Sequence, residues 1–157
     1  MTGRILVIDD DASVRMSFRV YLEDNGYQVK TAENGRQGLE IFHTEDLDLL
    51  LVDLRMPEID GLQVLDTVRR ESPEMPVIVV SGAGTLSDSI EALRLGAWDY
   101  FIKPIQDMEV LKHAITRALE KASLYKENRQ YREHLEELVA ERTTELEQRT
   151  EVARRSA

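Results

Sequence analysis

Residues 49–57 have the sequence LLLVDLRMP, and this stretch decides the fold. Four consecutive apolar residues are too few for a helix of ordinary length, and a proline follows soon after them. The pattern predicts a strand that is buried on both faces of a parallel sheet. The next residue, Asp53, then lies at the carboxyl end of the strand, where open α/β sheets bind their ligands. Taken alone, Asp53 could equally cap the following turn, so its role depends on what the other strands carry.

The rest of the first 105 residues alternates short apolar runs with amphipathic ones. Alternation of this kind predicts right-handed crossovers and a parallel sheet. We therefore expect an α/β fold with a doubly wound, five-stranded parallel sheet. The predicted strands are residues 4–8, 27–32, 49–52, 77–80 and 99–102, and the predicted helices include residues 14–24, 61–70 and 86–95.

Chemically active side chains follow three other predicted strands. Asp9–Asp11 come after the first strand, Ser81 after the fourth and Lys103 after the fifth. Adjacent carboxylates repel one another by roughly 1 kcal/mol per pair near 4 Å in water, and by more in a drier site. A hard cation relieves this repulsion, and Mg²⁺ prefers oxygen ligands. Helix capping by Asp11 or Ser13 is the alternative, but it accounts for only one of the acids.

Taken together, these side chains have the composition needed to accept a phosphoryl group. Phosphoryl transfer requires in-line placement and positive charge over three equatorial oxygens. Asp53 would be the nucleophile. A cation, the Lys103 ammonium, and Ser81 with nearby backbone amides would each stabilise one oxygen, and Gly82 leaves room for the incoming group.

This set of motifs resembles the receiver domain of bacterial two-component response regulators over about residues 4–120. The matching motifs are Asp9-Asp10, Asp53-Leu54-Arg55-Met56-Pro57, Gly61, Ser81-Gly82, Gly96-Ala97 and Lys103-Pro104. Any one of them is a weak signal, but their joint spacing is highly specific. The resemblance implies a flavodoxin-like receiver fold.

The resemblance also implies a metal site and a phosphoacceptor. Asp53 would accept the phosphoryl group and help to bind Mg²⁺. Asp10 would bind the ion directly, Asp9 would help through a water molecule, and the backbone carbonyl of Arg55 would be a further ligand. The resemblance places Arg55 and Ala83 beside the approach of the water that hydrolyses the acyl phosphate.

Three further residues would convert phosphorylation into a change of surface. Ser81 would be the switch hydroxyl that moves onto the phosphoryl group, and Lys103 would be the salt-bridge partner of that group. Tyr100 falls where the family keeps an aromatic rotamer switch, although an ordinary half-buried strand aromatic is the alternative. Their movement would alter the surface of the fourth helix, the fifth strand and the fifth helix.

The chain changes character after residue 105. No Gly or Pro occurs after Pro104, so the fifth helix is predicted to run unbroken to about Ala153. We expect a receiver domain over residues 1–122. Residues 123–157 are then a helical coiled-coil extension, or a linker to an output domain.

The extension carries apolar residues at heptad spacing in two frames. Leu124, Tyr131 and Leu138 recur every seven residues, whereas Val139, Leu146 and Ala153 do so in a shifted frame. A phase slip of this kind is a coiled-coil stutter, so we expect a parallel homodimer through this helix. A single solvated helix is the alternative. Residues 135–146 also resemble the signalling helices that join receivers to downstream modules.

Composition excludes several classes of protein. The chain has no cysteine, which rules out disulfides and thiolate metal sites. Its net charge is −10, and neither half resembles a basic nucleic-acid footprint. No apolar run approaches the length of about 20 residues that a membrane span needs. These features predict a cytoplasmic protein with no direct nucleic-acid or membrane binding.

The function expected from the sequence is that of a response regulator receiver, and not of an enzyme. A histidine kinase, a phosphotransfer protein or a small phosphodonor would supply the phosphoryl group. Either an effector domain follows Ala157, which the abrupt polar end favours, or the chain is a stand-alone adaptor. A phosphohydrolase resembling the haloacid dehalogenases is the alternative from another class, but Arg55 stands where such enzymes place an acid. A kinase-type phosphorylation site at His134 lacks the proline-containing context of such sites.

Overall fold

The computed structural model describes residues 3–82 and 85–156. The strands are β1 (Arg4–Ile8), β2 (Gln28–Ala32), β3 (Leu49–Val52), β4 (Val77–Ser81) and β5 (Asp99–Ile102). The helices are α1 (Ala12–Asp24), α2 (Gly35–Thr44), α3 (Gly61–Glu71), α4 (Leu86–Arg94) and α5 (Met108–Ser156). The strands form one parallel sheet in the order β2-β1-β3-β4-β5. The predicted fold class is confirmed.

The central strands are buried on both faces, as the apolar run of residues 49–52 predicted. Every residue of β3 and β4 is buried. Alternate side chains enter two separate cores, because successive side chains of a strand point to opposite faces. One core joins the sheet to α1 and α5 through Leu22, Leu111 and Ile115, and the other joins it to α3 and α4 through Leu65 and Ala92.

The helix boundaries are set mainly by capping side chains. Asp11 accepts hydrogen bonds from the backbone N–H groups of Ser13 and Val14, so α1 begins at Ala12, two residues earlier than predicted. Asp60 and Gln63 form a capping box at the start of α3. The structure thus assigns the capping role in the acidic run to Asp11, and leaves Asp9 and Asp10 for other contacts.

The chain divides into two compact units, residues 1–122 and 123–157, and the boundary lies within α5. Residues 108–119 of α5 contribute buried side chains to the first unit. In the second unit, by contrast, every side chain from residue 123 to residue 150 is exposed. None of the helices in the described ranges has both the length and the apolar character that crossing a membrane demands.

Candidate functional site

Three aspartates converge at the carboxyl edge of the sheet. β1 and β3 are hydrogen-bonded neighbours with Ile8 opposite Val52, so the residues that follow them emerge side by side. Asp9, Asp10 and Asp53 each offer a carboxylate oxygen, and these oxygens lie within 4.8 Å of one another. Asp9 and Asp53 are buried, whereas Asp10 is exposed.

Lys103 supplies the opposing charge from the end of β5. Its ammonium Nζ lies 2.7 Å from Oδ2 of Asp9 and 3.3 Å from Oδ2 of Asp53. The Lys103 backbone N–H also donates to the carbonyl oxygen of Ser81, which fixes the start of this loop against β4. The ammonium therefore faces the acids and lies closer to Asp9 than to Asp53.

The electrostatics of the cluster favour ligands that add positive charge. Burial raises the pKa of Asp53, and the neighbouring Asp9 carboxylate raises it further, against opposing effects from Lys103 and the Arg55 backbone N–H. Burial alone would lower the pKa of Lys103, but its hydrogen bond to Asp9 and the charge of Asp53 together raise it. The ammonium is thus retained, while two buried carboxylates still share one cation.

Hydrogen bonds fix both the side chain and the backbone of Asp9. Its Oδ1 accepts a hydrogen bond from the Asp11 backbone N–H at 2.9 Å. Its backbone carbonyl accepts another from Nη1 of Arg15, in the first turns of α1, at 2.7 Å. Sequence reasoning missed Arg15, because an arginine on an amphipathic helix carries no local signal of such a contact. The position of Asp9 therefore depends on α1 as well as on β1.

The loop between β3 and α3 is tightly constrained around Asp53. The Arg55 backbone N–H donates to Oδ1 of Asp53 at 3.4 Å. A Cβ at Gly61 would lie 2.2 Å from the Asp53 carbonyl oxygen, so only glycine allows α3 to start this close. Glu58, in the same loop, has a positive φ of 67°. The close approach of Gly61 to the Asp53 backbone is the physical reason for a glycine at this position.

Ser81 and Tyr100 lie on neighbouring strands. Ser81 is fully buried as the last residue of β4. Tyr100 is half-buried against the core that contains α3 and α4. Its hydroxyl is buried and makes no hydrogen bond of good geometry within the described part of the chain, although a contact with the Ser81 side chain acts to lower its pKa. Burial and the negative charge of Asp88 raise the pKa of Tyr100, so the phenol stays neutral near pH 7.

An ion pair that the sequence did not predict joins the loop after β3 to α4. Nη2 of Arg55 lies 2.7 Å from Oδ2 of Asp88 in the first turn of α4. Hydrogen bonds from Arg55 and from the Thr85 helix cap lower the pKa of Asp88. The sequence analysis gave Arg55 a carbonyl ligand role and a place beside the hydrolytic water but no ion-pair partner, since nothing local links residues 33 positions apart. Ala83, which the resemblance places beside the approach of the hydrolytic water, lies outside the described residues.

Comparison with known proteins places this architecture in a family. The model of the response regulator receiver domain matches residues 5–116. The transcriptional regulatory protein GlrR of Escherichia coli strain K12 is 36% identical over 121 residues, which are 77% of this chain and 27% of GlrR. This chain thus spans about a quarter of the length of that relative.

Two solved structures show the same likeness. A response regulator receiver domain protein from Clostridium thermocellum is 33% identical, with a TM-score of 0.74 over 78% of this chain and 98% of that one. The response regulator protein TrrA from Thermotoga maritima, in complex with Mg²⁺-BeF, is 28% identical, with a TM-score of 0.68 over 74% of this chain and 98% of TrrA. These matches confirm the resemblance found in the sequence. The chain belongs to the response regulator receiver domain family and contains a receiver domain of a two-component response regulator.

Proposed function

We propose that Asp53 accepts a phosphoryl group and that the phosphorylated receiver signals through an altered surface. One observation carries this proposal: the carboxylates of Asp9, Asp10 and Asp53 lie within 4.8 Å of one another, and the Lys103 ammonium faces two of them. A nucleophilic carboxylate, a site for a cation and a fixed ammonium are what phosphoryl transfer requires.

The donor set fits Mg²⁺. Two oxygen ligands of one octahedral Mg²⁺ lie about 3 to 4 Å apart, since each bond is about 2.0–2.1 Å long. Carboxylates within 4.8 Å of one another reach this spacing with small side-chain movements. Asp9, Asp10, Asp53 and the Arg55 carbonyl would hold the ion, which would supply positive charge to a phosphoryl oxygen. The related TrrA structure, in complex with Mg²⁺-BeF, supports this assignment.

In the transfer step, Asp53 is the nucleophile, and Lys103 and Ser81 stabilise the phosphoryl oxygens. A carboxylate oxygen of Asp53 attacks phosphorus and forms the acyl phosphate bond. The bond from phosphorus to the donor's leaving group breaks in the same step, and the leaving group keeps the electron pair. Lys103, whose Nζ is 3.3 Å from Asp53, stabilises one phosphoryl oxygen, and the Ser81 hydroxyl donates to another.

Phosphorylation would then act as a charge switch. It replaces a carboxylate of charge −1 by a group whose charge approaches about −2, which recruits Ser81 and Lys103. Movement of Ser81 would vacate space beside β5, and the neighbouring Tyr100 ring would turn into it. Phosphorylation thereby alters the surface of α4, β5 and α5. We propose that this surface controls a partner protein or an effector domain.

A groove beside the site suits the phosphodonor protein. It has a volume of about 340 Å³, and Val14 and Phe18 of α1 face Lys103 and Ile105 across it. Its apolar walls lie next to the ammonium that contacts Asp53, so a helix docked there can bring a phosphohistidine within reach. We propose that a histidine kinase or a phosphotransfer protein binds here, and that small phosphodonors need no such contact.

We further propose that residues 123–157 form a homodimer and carry the signal toward an effector domain or a bound partner. Support comes from the exposed apolar side chains of this unit, among them Leu124, Tyr131 and Leu146. Sedimentation at micromolar concentration, with and without residues 124–157, tests this part. A full-length chain that sediments as a monomer would contradict it.

The phosphoacceptor is tested by incubation with acetyl phosphate and Mg²⁺, followed by intact mass measurement. The wild type is expected to gain one phosphoryl group per chain, whereas Asp53→Asn gains none and Asp10→Asn gains much less. Asp46→Asn removes an acid outside the site and serves as the matched control. Persistent stoichiometric labelling of Asp53→Asn would refute the assignment.

The phosphohydrolase alternative is not proposed. Arg55, two residues after Asp53, directs its guanidinium toward Asp88 and offers no proton to a leaving group. A multiple-turnover assay on a small phosphate ester separates the two functions. A receiver releases phosphate only at the slow rate of its own acyl-phosphate hydrolysis.

A further inference from the structure

We infer that residues 124–147 pair with a second copy of this chain as a parallel, in-register coiled coil whose phase slip keeps Arg142 out of the seam. The inference rests on the homodimer that forms part of the proposed function, and it adds the orientation, the register and the contacts that select them. It follows from the exposure of this unit and from the order of its charges.

Over the residues that the structure describes, the second unit has no core of its own. Leu124 is 64% exposed, Tyr131 66% and Leu146 61%, although all of them belong to a helix. Leu135 and Leu138 are also exposed. A regular stripe of exposed apolar residues at heptad spacing is the pattern that a second helix buries. Because the charges of this unit nearly cancel, electrostatic self-repulsion does not oppose pairing.

The first heptad frame produces a good seam until Leu138. With Leu124, Tyr131 and Leu138 at position d, the residues at position a are Asn128 and Leu135. A single asparagine at position a favours two helices in one register. The next position a in this frame would be Arg142, however. Two guanidinium groups would then face each other inside the seam, where burial of charge is unfavourable.

The shift of one residue after Leu138 removes that conflict. Val139 and Leu146 now occupy position d, and Thr143 replaces Arg142 at position a. Arg142 moves to position g, on the flank of the pair, where its guanidinium stays in water. The phase slip therefore has a physical reason, because it exchanges a buried cation for a small β-branched residue.

The flanking charges select a parallel arrangement. In parallel coiled coils, a residue at position g lies near position e of the following heptad in the other helix. In the first frame this places Glu127 beside Arg132 of the second copy. In the second frame it places Arg142 beside Glu147 of the second copy. Two-fold symmetry repeats both attractive contacts.

The complementary pattern ends after residue 147. The next flanking contact would bring Arg149 beside Arg154 of the second copy, and these charges repel. Arg154 is instead paired with Glu151 of its own chain. The coiled coil that we infer therefore covers residues 124–147, and the helices separate beyond it.

The absence of cysteine makes disulfide mapping of the full chain direct. Asn128→Cys places a thiol at position a, where the two copies of one residue meet, within the Cα separation that a disulfide allows. Glu133→Cys places a thiol at the outer position f as the matched control. Under mild oxidation, Asn128→Cys is expected to form the interchain disulfide nearly completely, and Glu133→Cys to form little.

The outcomes separate this inference from the proposed function. Equal cross-linking of the two variants, or a sedimenting dimer in which Asn128→Cys does not cross-link, would overturn the parallel register. A monomeric wild type would overturn the homodimer itself. Neither result affects phosphorylation of Asp53, which is measured separately.

A charge exchange tests the flanking contact. Arg142→Glu places one glutamate against Glu147 of the other copy in each of the two symmetric contacts, so the dimer is expected to dissociate about tenfold more readily. Arg142→Glu combined with Glu147→Arg restores the attraction and is expected to recover the wild-type constant. A double variant as weak as Arg142→Glu would contradict the pairing.

Discussion

The first and last parts of α5 both carry large apolar side chains, but these side chains lie in opposite environments. Leu111 and Ile115 are completely buried by the sheet, whereas Leu124 and Leu146, farther along the same helix, are more than half exposed. The receiver unit thus carries its own core, whereas the second unit, over its described residues 123–156, leaves its large apolar side chains exposed. In the homodimer that we propose, the second copy would bury them. The stability of the receiver should therefore be independent of protein concentration, and that of the extension should depend on it.

Removal of one leucine from each unit, buried in the receiver and exposed in the extension, gives the largest contrast. Leu65 is fully buried, so Leu65→Ala is expected to lower the free energy of unfolding of the receiver by about 2–5 kcal/mol. Leu146→Ala removes an exposed side chain and should leave that free energy unchanged while weakening the dimer. Trp98 is the only tryptophan and lies in the receiver, so its fluorescence during urea unfolding reports this unit alone.

Equal receiver stability in Leu65→Ala and Leu146→Ala, whether both are unchanged or both are lowered, would contradict this contrast.

Asp53→Asn tests whether the buried carboxylates of the receiver lower its free energy of unfolding, in contrast to the exposed carboxylates of the extension. Without Mg²⁺, this substitution removes a buried carboxylate that faces Asp9, and is expected to stabilise the receiver by on the order of 1 kcal/mol near pH 7. Glu133→Gln, on the solvated extension, is the control and should have no such effect.

The pH dependence of this gain has a definite sign. Folding raises the pKa of Asp53 above its ordinary value of 3.8. As the pH increases, Asp53 therefore loses its proton in the unfolded chain before it does so in the folded protein. The contribution of Asp53 to the stability of the wild type therefore falls from about pH 3.8 up to the folded pKa, and the advantage of Asp53→Asn grows over the same interval. Urea unfolding in the presence of a chelator measures it, and an advantage that shrinks with rising pH would contradict the account.

The fold was predictable because its signals are local. The apolar run of residues 49–52, the glycines that follow helices and the acids at strand ends each mark a boundary without knowledge of the rest of the chain. The parallel register then brings Asp9 and Asp53 to the same edge. The convergence of Asp9, Asp10, Asp53 and Lys103 in the structure agrees with the sequence analysis, and the roles assigned to these residues stay predictions.

The contacts that the sequence did not reveal depend on long, flexible side chains. Lys103 is predicted to pair with the phosphoryl group, and the sequence did not show that its shortest contact in the structure is to Asp9. The pairing of Arg55 with Asp88 and the donation of Arg15 to the Asp9 carbonyl likewise join separate elements. A guanidinium or ammonium can reach several carboxylates from one backbone position, so residue spacing alone does not choose among them.

The central claim is that Asp53 is the phosphoacceptor, and chemical trapping of the acyl phosphate tests it most directly. The chain is phosphorylated with acetyl phosphate and Mg²⁺, reduced with borohydride and digested, and the peptides are then identified by mass. Reduction converts the phosphorylated aspartate to homoserine, and we predict homoserine at position 53 alone. Homoserine at another acid, or a stable phosphoryl group on His134 with position 53 unmodified, would contradict the account.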